Sequence, residues 1–200
     1  MLVIEQKTSI LKRLLILAGV GALSGGMYLL LLVAAPTIAP VLSRSSITPD
    51  TLAAQPAAEN RIIIPKIGVD VAYGQGEAAL DRGAQWRWPD RGNPRQGGNF
   101  IIAAHRFLLA PTPSETIRRS PFYHIDKLAI GDQILIDFDG ERFGYEITDI
   151  KNVSPDQTEI ESSTKTARLT LYSCGLGGSE DLRHAIFAKP LGPVDIQANS

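Results

Sequence analysis

Residues 167–174, "ARLTLYSC", and residues 183–190, "RHAIFAKP", are two short, mainly apolar runs on either side of one glycine-rich loop. Runs of this length and composition between turn residues predict a pair of β-strands. Five further stretches have the same character: "RIIIP" (61–65), "VDVAY" (69–73), "GNFIIAAHR" (98–106), "DQILIDF" (132–138) and "RFGYEITDI" (142–150). Together they predict an all-β domain over residues 61–200, arranged as a barrel or a sandwich.

Two stretches inside this domain are typical of short helices instead. They are "EAALDRGAQW" (77–86) and "SPFYHIDKL" (120–128). In the second stretch Ser120 stands at the position of a helix cap and Pro121 in the first turn, where these residue types are favoured. The predicted fold class is therefore all-β with one or two short helices.

The N-terminal part of the chain has a different character. Residues 14–35 contain no charged residue, and Lys7, Lys12 and Arg13 precede them. A helix of about 20 apolar residues spans a bilayer core, so this segment predicts a transmembrane anchor in contact with lipid. The basic residues indicate that residues 1–13 lie in the cytoplasm and the later chain outside the cell. Residues 36–60, rich in Pro, Ala, Ser and Thr, predict a semi-extended extracellular tether.

Two other interpretations of residues 14–35 stay open. The small residues of "VAAPTIA" (33–39) offer a cleavage site for a signal peptide, although the apolar core of such peptides is usually shorter. A buried helix of a globular domain usually has a polar face, which this segment lacks. The length of the segment favours the uncleaved anchor.

The charge balance excludes one broad class of partner. Charged residues make up 20% of the chain and hydrophobic residues 44%, with a formal net charge of -1. This is the composition of a globular protein, without the excess of basic residues that binding a polyanion requires. We therefore expect no nucleic-acid partner.

Cys174 is the only cysteine in the chain, so it forms no intramolecular disulfide. A lone cysteine is commonly a small buried residue, and this interpretation stays open. Its position at the end of a predicted strand, before "GLGG" (175–178), is instead typical of a presented reactive side chain. Because a thiol with the ordinary pKa of about 8.5 is only about 3% ionised at neutral pH, a nucleophilic Cys174 needs a helper.

Histidine is the usual helper of a thiol nucleophile, and the chain contains three. His105 ends the predicted strand 98–106 and is the best candidate. His124 lies in a predicted helix, where packing or exposure to solvent is the commoner role. His184 follows Arg183 in a strand, so the two side chains are expected on opposite faces of the sheet.

A third candidate group is a cation. Attack of a thiolate on an amide creates an oxyanion, which a positioned guanidinium stabilises. Arg183 begins the predicted strand 183–190, and a hairpin through residues 175–182 would bring it beside Cys174. Arg106 and Arg168 are alternatives that the spacing does not exclude.

Taken together these segments resemble the sortase family. "TLYSC" (170–174) is similar to the Thr-Leu-x-Thr-Cys signature of sortases, "GNFIIAAHR" to their histidine strand, and "DLRHAIFA" (181–188) to their arginine strand. "FYHIDKLAIGDQI" (122–134) resembles a segment between the histidine and cysteine motifs. The resemblance covers about residues 61–190 with the order His, Cys, Arg retained, and four ordered matches are far more specific than one motif.

The resemblance implies an eight-stranded sortase-type β-barrel after a membrane anchor, in a single-pass protein of a bacterial cell membrane. It implies a cysteine transpeptidase in which Cys174 attacks a Leu-Pro-x-Thr-Gly-like sorting signal of a surface protein and forms a thioacyl intermediate. His105 would protonate the departing amine, and Arg183 would hold the oxyanion. The acceptor would be an amine from a cell-wall precursor or a pilin.

The sequence departs from the family pattern at Ser173, which replaces the threonine before the cysteine and keeps the hydroxyl group. This departure bears on subclass and signal preference rather than on the chemistry. We expect no cofactor: calcium occurs in the family, but the carboxylates within 137–161 lack a spacing like that of an EF-hand.

Two alternatives to the transpeptidase belong to other functional classes. A thiol hydrolase, or another peptidoglycan acyltransferase, would use the same Cys174 and His105 with water or a different acyl donor. An inactive, membrane-anchored binding module would use neither residue as a reactive group.

Overall fold

The structure is a computed structural model that describes residues 2–43, 56 and 58–194, and the side chains of residues 10–38, 56, 58–177 and 181–194. Three α-helices are present in these residues: α1 (Leu2–Ser43), α2 (Glu77–Arg82) and α3 (Pro113–Arg118). The strands are β1 (Arg61–Ile64), β2 (Val69–Gly74), β3 (Ala84–Arg87), β4 (Gly92–Asn93), β5 (Gly97–Ala104), β6 (Gln133–Phe138), β7 (Glu141–Val153), β8 (Arg168–Gly175) and β9 (Gly178–Pro193). Short 3₁₀ turns cover Pro65–Ile67, Pro89–Arg91, Ile125–Lys127 and Thr158–Glu161.

Eight of these strands form a closed barrel. The order is β3-β2-β1-β6-β7-β9-β8-β5, and β5 pairs with β3 to close the ring, while the two-residue β4 extends β5. The pairs β2–β3 and β5–β8 are parallel, and the others are antiparallel. The eight-stranded barrel implied by the family resemblance is therefore confirmed.

The alternation of side chains along the strands divides the apolar residues between two faces. The barrel interior contains large buried side chains from every part of the ring, among them Ile62, Phe100, Ile136, Leu171 and Ile186. A second, smaller cluster lies on the outer face of β5, β8 and β9: Ile101, Ala103, Val153, Ile160, Tyr172 and Ala185. The connection between β7 and β8 covers this outer cluster, so part of the outer face of the barrel is buried.

The predicted helix 77–86 is shorter than expected. Its helical part ends at Arg82, and Gly83 leads into β3, which the sequence did not indicate as a strand. A side chain at residue 83 would place its Cβ 2.8 Å from the backbone oxygen of Ala72, so only glycine fits where the helix turns against β2. β3 is then free to pair with β5 and close the barrel.

The second predicted helix, residues 120–128, is a series of 3₁₀ turns rather than an α-helix. Its backbone N–H groups bond three residues back, as in the bond from Ile125 to Phe122 at 3.1 Å. Phe122, Ile125 and Leu128 are all buried, and their spacing of three residues places them on one side of such turns. The three-residue spacing of these buried side chains therefore matches 3₁₀ turns, which have three residues per turn, and not an α-helix.

Helix α3 was not predicted, although its first turn has a recognisable start signal. Thr112 caps the helix and accepts a hydrogen bond from the backbone N–H of Glu115 at 3.3 Å. Pro113 occupies the first helical position. This is the capping-box pattern of Thr and Glu three residues apart.

Helix α1 contains the predicted anchor and continues beyond it. The segment Ile10–Ile38 is long and apolar enough to cross a membrane, with a mean hydropathy of 2.1. Residues 36–43 of the predicted tether continue the helix instead of being extended, and residues 44–55 and 57 lie outside the described part. Contacts with the domain favour these extra turns, since the Pro36 carbonyl lies 3.0 Å from the His124 Nε2.

The later turns of α1 pack against the domain beside α3. Leu32 and Ala35 are buried, and the Tyr28 hydroxyl donates a hydrogen bond of 2.5 Å to the carbonyl of Pro111. The apolar helix and the β-domain are therefore in direct contact at this point.

Candidate active site

Cys174 and Arg183 are brought together by the pairing of β8 and β9. They are register partners, and the ladder becomes irregular immediately after Cys174. Register partners in an antiparallel pair have their side chains on the same face. That face is the outer one, because Tyr172, two residues before Cys174, belongs to the outer cluster. Cys174 is a partly exposed free thiol, so the interpretation of it as a buried core residue is wrong.

His105 lies beside this pair at the end of β5. Ala103 is the partner of Tyr172 in the parallel pairing of β5 with β8. One residue further along, the Ser173 hydroxyl donates a hydrogen bond of 2.8 Å to the carbonyl of Ala104. The hydroxyl retained at position 173 thus connects the residue before His105 to the residue before Cys174.

Asp81 of α2 is the charged neighbour of His105. The Nε2 atom of His105 is 3.6 Å from the Oδ1 of Asp81, which also accepts a hydrogen bond of 2.9 Å from Arg119. Burial of the ring lowers the pKa of His105, and the attraction of Asp81 for the proton only partly offsets this effect. The imidazole is therefore mainly neutral at neutral pH.

A cavity of about 340 Å³ contains all three candidate side chains in its lining. Apolar side chains from three separate segments, Leu80, Phe107 and Leu176, complete the wall on the outer side. The cavity is open to solvent and lies along the strand ends of β5 and β8. It can therefore admit an extended peptide with apolar side chains beside the thiol.

Among the described side chains, the guanidinium of Arg183 has an aromatic ring as its partner and no ion pair. Its Cζ lies 5.5 Å from the centroid of the Tyr172 ring, a distance at which a cation is attracted to the face of a ring. Its Nε is buried and has no hydrogen-bond partner among the described residues. The group thus retains a donor within the cavity that contains Cys174.

The other candidate side chains are engaged elsewhere. Arg106 lines the cavity but pairs with Asp126 at 3.1 Å. Arg168 donates a hydrogen bond of 3.1 Å to Asn99. His124 contacts α1, and His184 has its Nδ1 2.7 Å from the Oδ1 of Asn152.

Three residues near the site were missed by sequence reasoning: Asp81, Glu161 and Tyr172. The period of two along β8 could have placed Tyr172 on the face of Cys174. Asp81 and Glu161 come from separate connections, and no local pattern brings them to the site. Among the side chains described for residues 58–177 and 181–194, no three or more His, Cys, Asp or Glu residues are grouped as metal ligands.

Comparison with known proteins agrees with this geometry. The family model for the sortase domain matches residues 62–191. A search of curated protein sequences found no match. Among solved structures, the chain is similar to the sortase D5 transpeptidase of Clostridium perfringens, with 28% identity and a TM-score of 0.55 over 72% of this chain and 86% of that one.

Two further structures share the fold. Sortase A of Listeria monocytogenes is 24% identical, with a TM-score of 0.55 over 70% of this chain and 92% of that one. Sortase C1 of Streptococcus agalactiae, in complex with MTSET, is 23% identical, with a TM-score of 0.57 over 78% and 88% of the two chains. The family model covers the whole barrel, including the strands that position the cavity. This chain belongs to the sortase family.

Proposed function

We propose that this protein is a cysteine transpeptidase that joins a surface protein to an amine acceptor outside the cell. The observation that carries the proposal is the register pairing of Cys174 with Arg183, in a cavity that His105 also lines. Membership of the sortase family supports the same reaction class.

In the first half of the reaction, the Cys174 thiolate attacks the carbonyl carbon of a peptide bond in a Leu-Pro-x-Thr-Gly-like signal. The carbon–nitrogen bond breaks, a thioester forms, and the departing amine takes a proton from the His105 imidazolium. In the second half, a new amine attacks the thioester, gives a proton back to His105 and releases the thiolate. Atoms and protons balance over the two halves, so the chain needs no other reactant.

Arg183 would stabilise the negative charge that develops on the carbonyl oxygen. Its unpartnered Nε and its place opposite Cys174 support this role. A donor already in position before the reaction lowers the barrier, because no reorganisation is needed when the charge appears.

The protonation states of the pair set a limit on the rate. Burial lowers the pKa of His105, so the imidazolium that the leaving amine requires is the minor form at neutral pH. The active combination of thiolate and imidazolium is then a small fraction of the protein. We therefore expect turnover to be slow because few molecules are in the active protonation state, and not because the chemical step has a high barrier.

Helix α1 would anchor the enzyme in the bacterial membrane with the N-terminus in the cytoplasm. Its length and apolar composition, and the basic residues Lys7, Lys12 and Arg13 before the apolar part, support this orientation. Because Tyr28 and Leu32 contact the domain, the part of α1 that crosses the bilayer would be the turns before Tyr28, and α3 would lie next to the bilayer surface.

A ligation assay tests the proposed function. The full chain in detergent is incubated with a Leu-Pro-x-Thr-Gly peptide, with and without triglycine or a lysine-like amine. We expect a ligated product when the amine is present and none with the C174A or H105A variant. Release of hydrolysed peptide alone, even at high amine concentration, would indicate a thiol hydrolase, and activity of the C174A variant would contradict the proposal. The preferred amine distinguishes a cell-wall acceptor from a pilin.

A further inference from the structure

Glu161 is a buried carboxylate beside the site that the proposed reaction does not use. It ends the 3₁₀ turn Thr158–Glu161 in the connection between β7 and β8, and it is only 5% exposed. A buried charge is costly unless it is paired and hydrogen-bonded. Its partners therefore indicate what the residue does.

Two hydrogen-bond donors and one cation converge on this carboxylate. The Tyr172 hydroxyl donates to Oε1 in a short hydrogen bond, and the Trp88 indole N–H donates to Oε2 at 2.9 Å. The Nε of Arg87 forms an ion pair with Oε1 at 2.7 Å. Burial raises the pKa of Glu161, but the hydrogen bonds from Tyr172 and Trp88, together with the positive charges of Arg87 and Arg183, outweigh it and the net shift is downward. Glu161 is therefore ionised at neutral pH.

The backbone of Trp88 has an unfavourable conformation, which raises the free energy of the folded state locally. Trp88 has a φ of 50°, in the left-handed region that a bulky residue rarely adopts. Such a conformation persists only where surrounding contacts stabilise it. The bond to Glu161 and the contact with Arg91, whose Cζ lies 4.5 Å from the Trp88 ring, are such contacts.

The turn that carries Glu161 is itself fixed to the barrel. The Asn99 amide donates to the carbonyls of Ile160 and Ser162 at 2.9 and 2.8 Å, and Arg91 donates to the Glu161 carbonyl at 2.6 Å. Asn99 is fully buried in β5, the strand that leads to His105. The carboxylate therefore has a defined position relative to the strands of the site.

Tyr172 connects this carboxylate to Arg183. One end of Tyr172, the hydroxyl, is bound to Glu161, and the face of its ring contacts the Arg183 guanidinium. Burial raises the pKa of Tyr172, so its hydroxyl stays protonated and remains a donor. With the hydroxyl fixed, the ring provides a rigid surface for a planar cation.

The indirect connection matters for the chemistry. Among the described side chains, no carboxylate forms an ion pair with Arg183: Glu161 attracts it electrostatically from a distance and is connected to it through the Tyr172 ring. A carboxylate bound directly to the guanidinium would compete with an oxyanion for the same donors. Stacking fixes the direction of the group and leaves its N–H donors for a ligand.

We propose that Glu161 is a positioning residue of this enzyme: through the hydroxyl of Tyr172 it orients the Arg183 guanidinium toward the carbonyl that Cys174 attacks. The inference rests on the proposed transpeptidase function. It assigns a role in the reaction to a carboxylate and a phenol that do not touch the reacting atoms.

The test uses the full chain in detergent and a Leu-Pro-x-Thr-Gly peptide. The variants are Y172F, which removes only the hydroxyl, and E161Q, which removes the charge; the matched control is E159Q, an exposed carboxylate of the same turn. We measure the single-turnover rate of thioester formation on Cys174, the KM for the peptide, and the melting temperature. We expect Y172F and E161Q to slow thioester formation about tenfold with less than about a twofold change in KM, because coupled network residues act on this scale.

A purely structural role is separated by repeating both substitutions in an R183K background. If Glu161 acts through the guanidinium, Y172F slows R183K by less than about twofold. An equal slowing in both backgrounds, or unaltered rates in Y172F, would overturn the inference. If the unsubstituted protein forms no thioester at all, the proposed function fails instead. Y172F keeps the test decisive if E161Q fails to fold.

Discussion

Cys174 and Arg183 are opposite each other in the antiparallel ladder of β8 and β9. Their separation is therefore set by the sheet rather than by a loop, and a short hairpin connects the two strands. Asp181 closes this hairpin by accepting hydrogen bonds from the backbone N–H groups of Gly177 and Leu182, at 3.2 and 2.8 Å. Functional side chains placed on strands are held more rigidly than side chains on loops.

The role proposed for Arg183 predicts a loss of rate without a loss of fold. Replacing it with Ala removes the donor for the oxyanion, and we expect acylation to slow by about 10²-fold to 10³-fold, as for other oxyanion donors. The rate is measured by single-turnover mass spectrometry of the Cys174 adduct. The control R118A removes an exposed arginine of α3 and should leave the rate unaltered. Equal rates in R183A and R118A would contradict the role.

The neighbour of His105 predicts the direction of a pKa change. Asp81 favours the imidazolium, so D81N should lower the pKa of His105 further below its ordinary value of about 6.5. The fraction of imidazolium at neutral pH falls with it, and acylation at that pH should slow. NMR titration of the three histidine rings measures the pKa, and D90N, an exposed carboxylate of another turn, is the control. An upward shift in D81N would refute the electrostatic argument.

The buried ion pair on β6 and β7 predicts a large effect on stability away from the site. Arg142 Nε and Asp137 Oδ1 are 2.6 Å apart, and both side chains are nearly inaccessible to solvent. D137N removes the negative charge that Arg142 contacts in the core and should lower the free energy of unfolding by about 3–5 kcal/mol. The solvent-accessible pair of the half-buried Glu146 and the exposed Lys189 gives the control, since E146Q should cost no more than about 1 kcal/mol. Chemical denaturation of the full chain measures both, and similar costs would be evidence against the buried pairing.

The contact of α1 with the domain predicts local protection of α3. Leu32 is 5% exposed and its neighbour Leu31 is 53% exposed, so the two leucines form a matched pair. L32A should increase amide hydrogen exchange in Pro113–Arg118, because it removes packing from that side of α3, whereas L31A should not. Exchange is measured by mass spectrometry of the full chain in detergent. Unaltered exchange in L32A would mean that α1 does not dock on α3 in solution.

The sequence was sufficient for seven of the nine strands because each of the seven has a strong local pattern of apolar and turn residues. It was not sufficient for β3, because residues 77–86 have the pattern of one continuous helix. The change from helix to strand occurs at Gly83, whose backbone packs closely against Ala72, and this contact is not visible in the sequence. The two-residue β4 carries too few residues for any pattern. The start signal of α3 was present at Thr112 and Glu115, so this helix could have been predicted.

The residues of the candidate site likewise divide into those with a local sequence pattern and those whose position depends on long-range contacts. Cys174, His105 and Arg183 could be named as candidates because each stands at the end of a patterned run in the sequence, and the family resemblance gave their order. Asp81 and Glu161 lie in connections whose position depends on long-range contacts, such as the bonds of Asn99 to the carbonyls of Ile160 and Ser162. No periodicity in the sequence encodes those contacts, so only the folded structure brings the carboxylates to the site.

Mass spectrometry of the intact protein after incubation with a Leu-Pro-x-Thr-Gly peptide tests the nucleophile directly. The account predicts an added mass equal to the peptide up to its threonine, located on residue 174 and removed when triglycine is supplied. An unmodified thiol under conditions in which the peptide is cleaved, or an adduct on any other side chain, would contradict it.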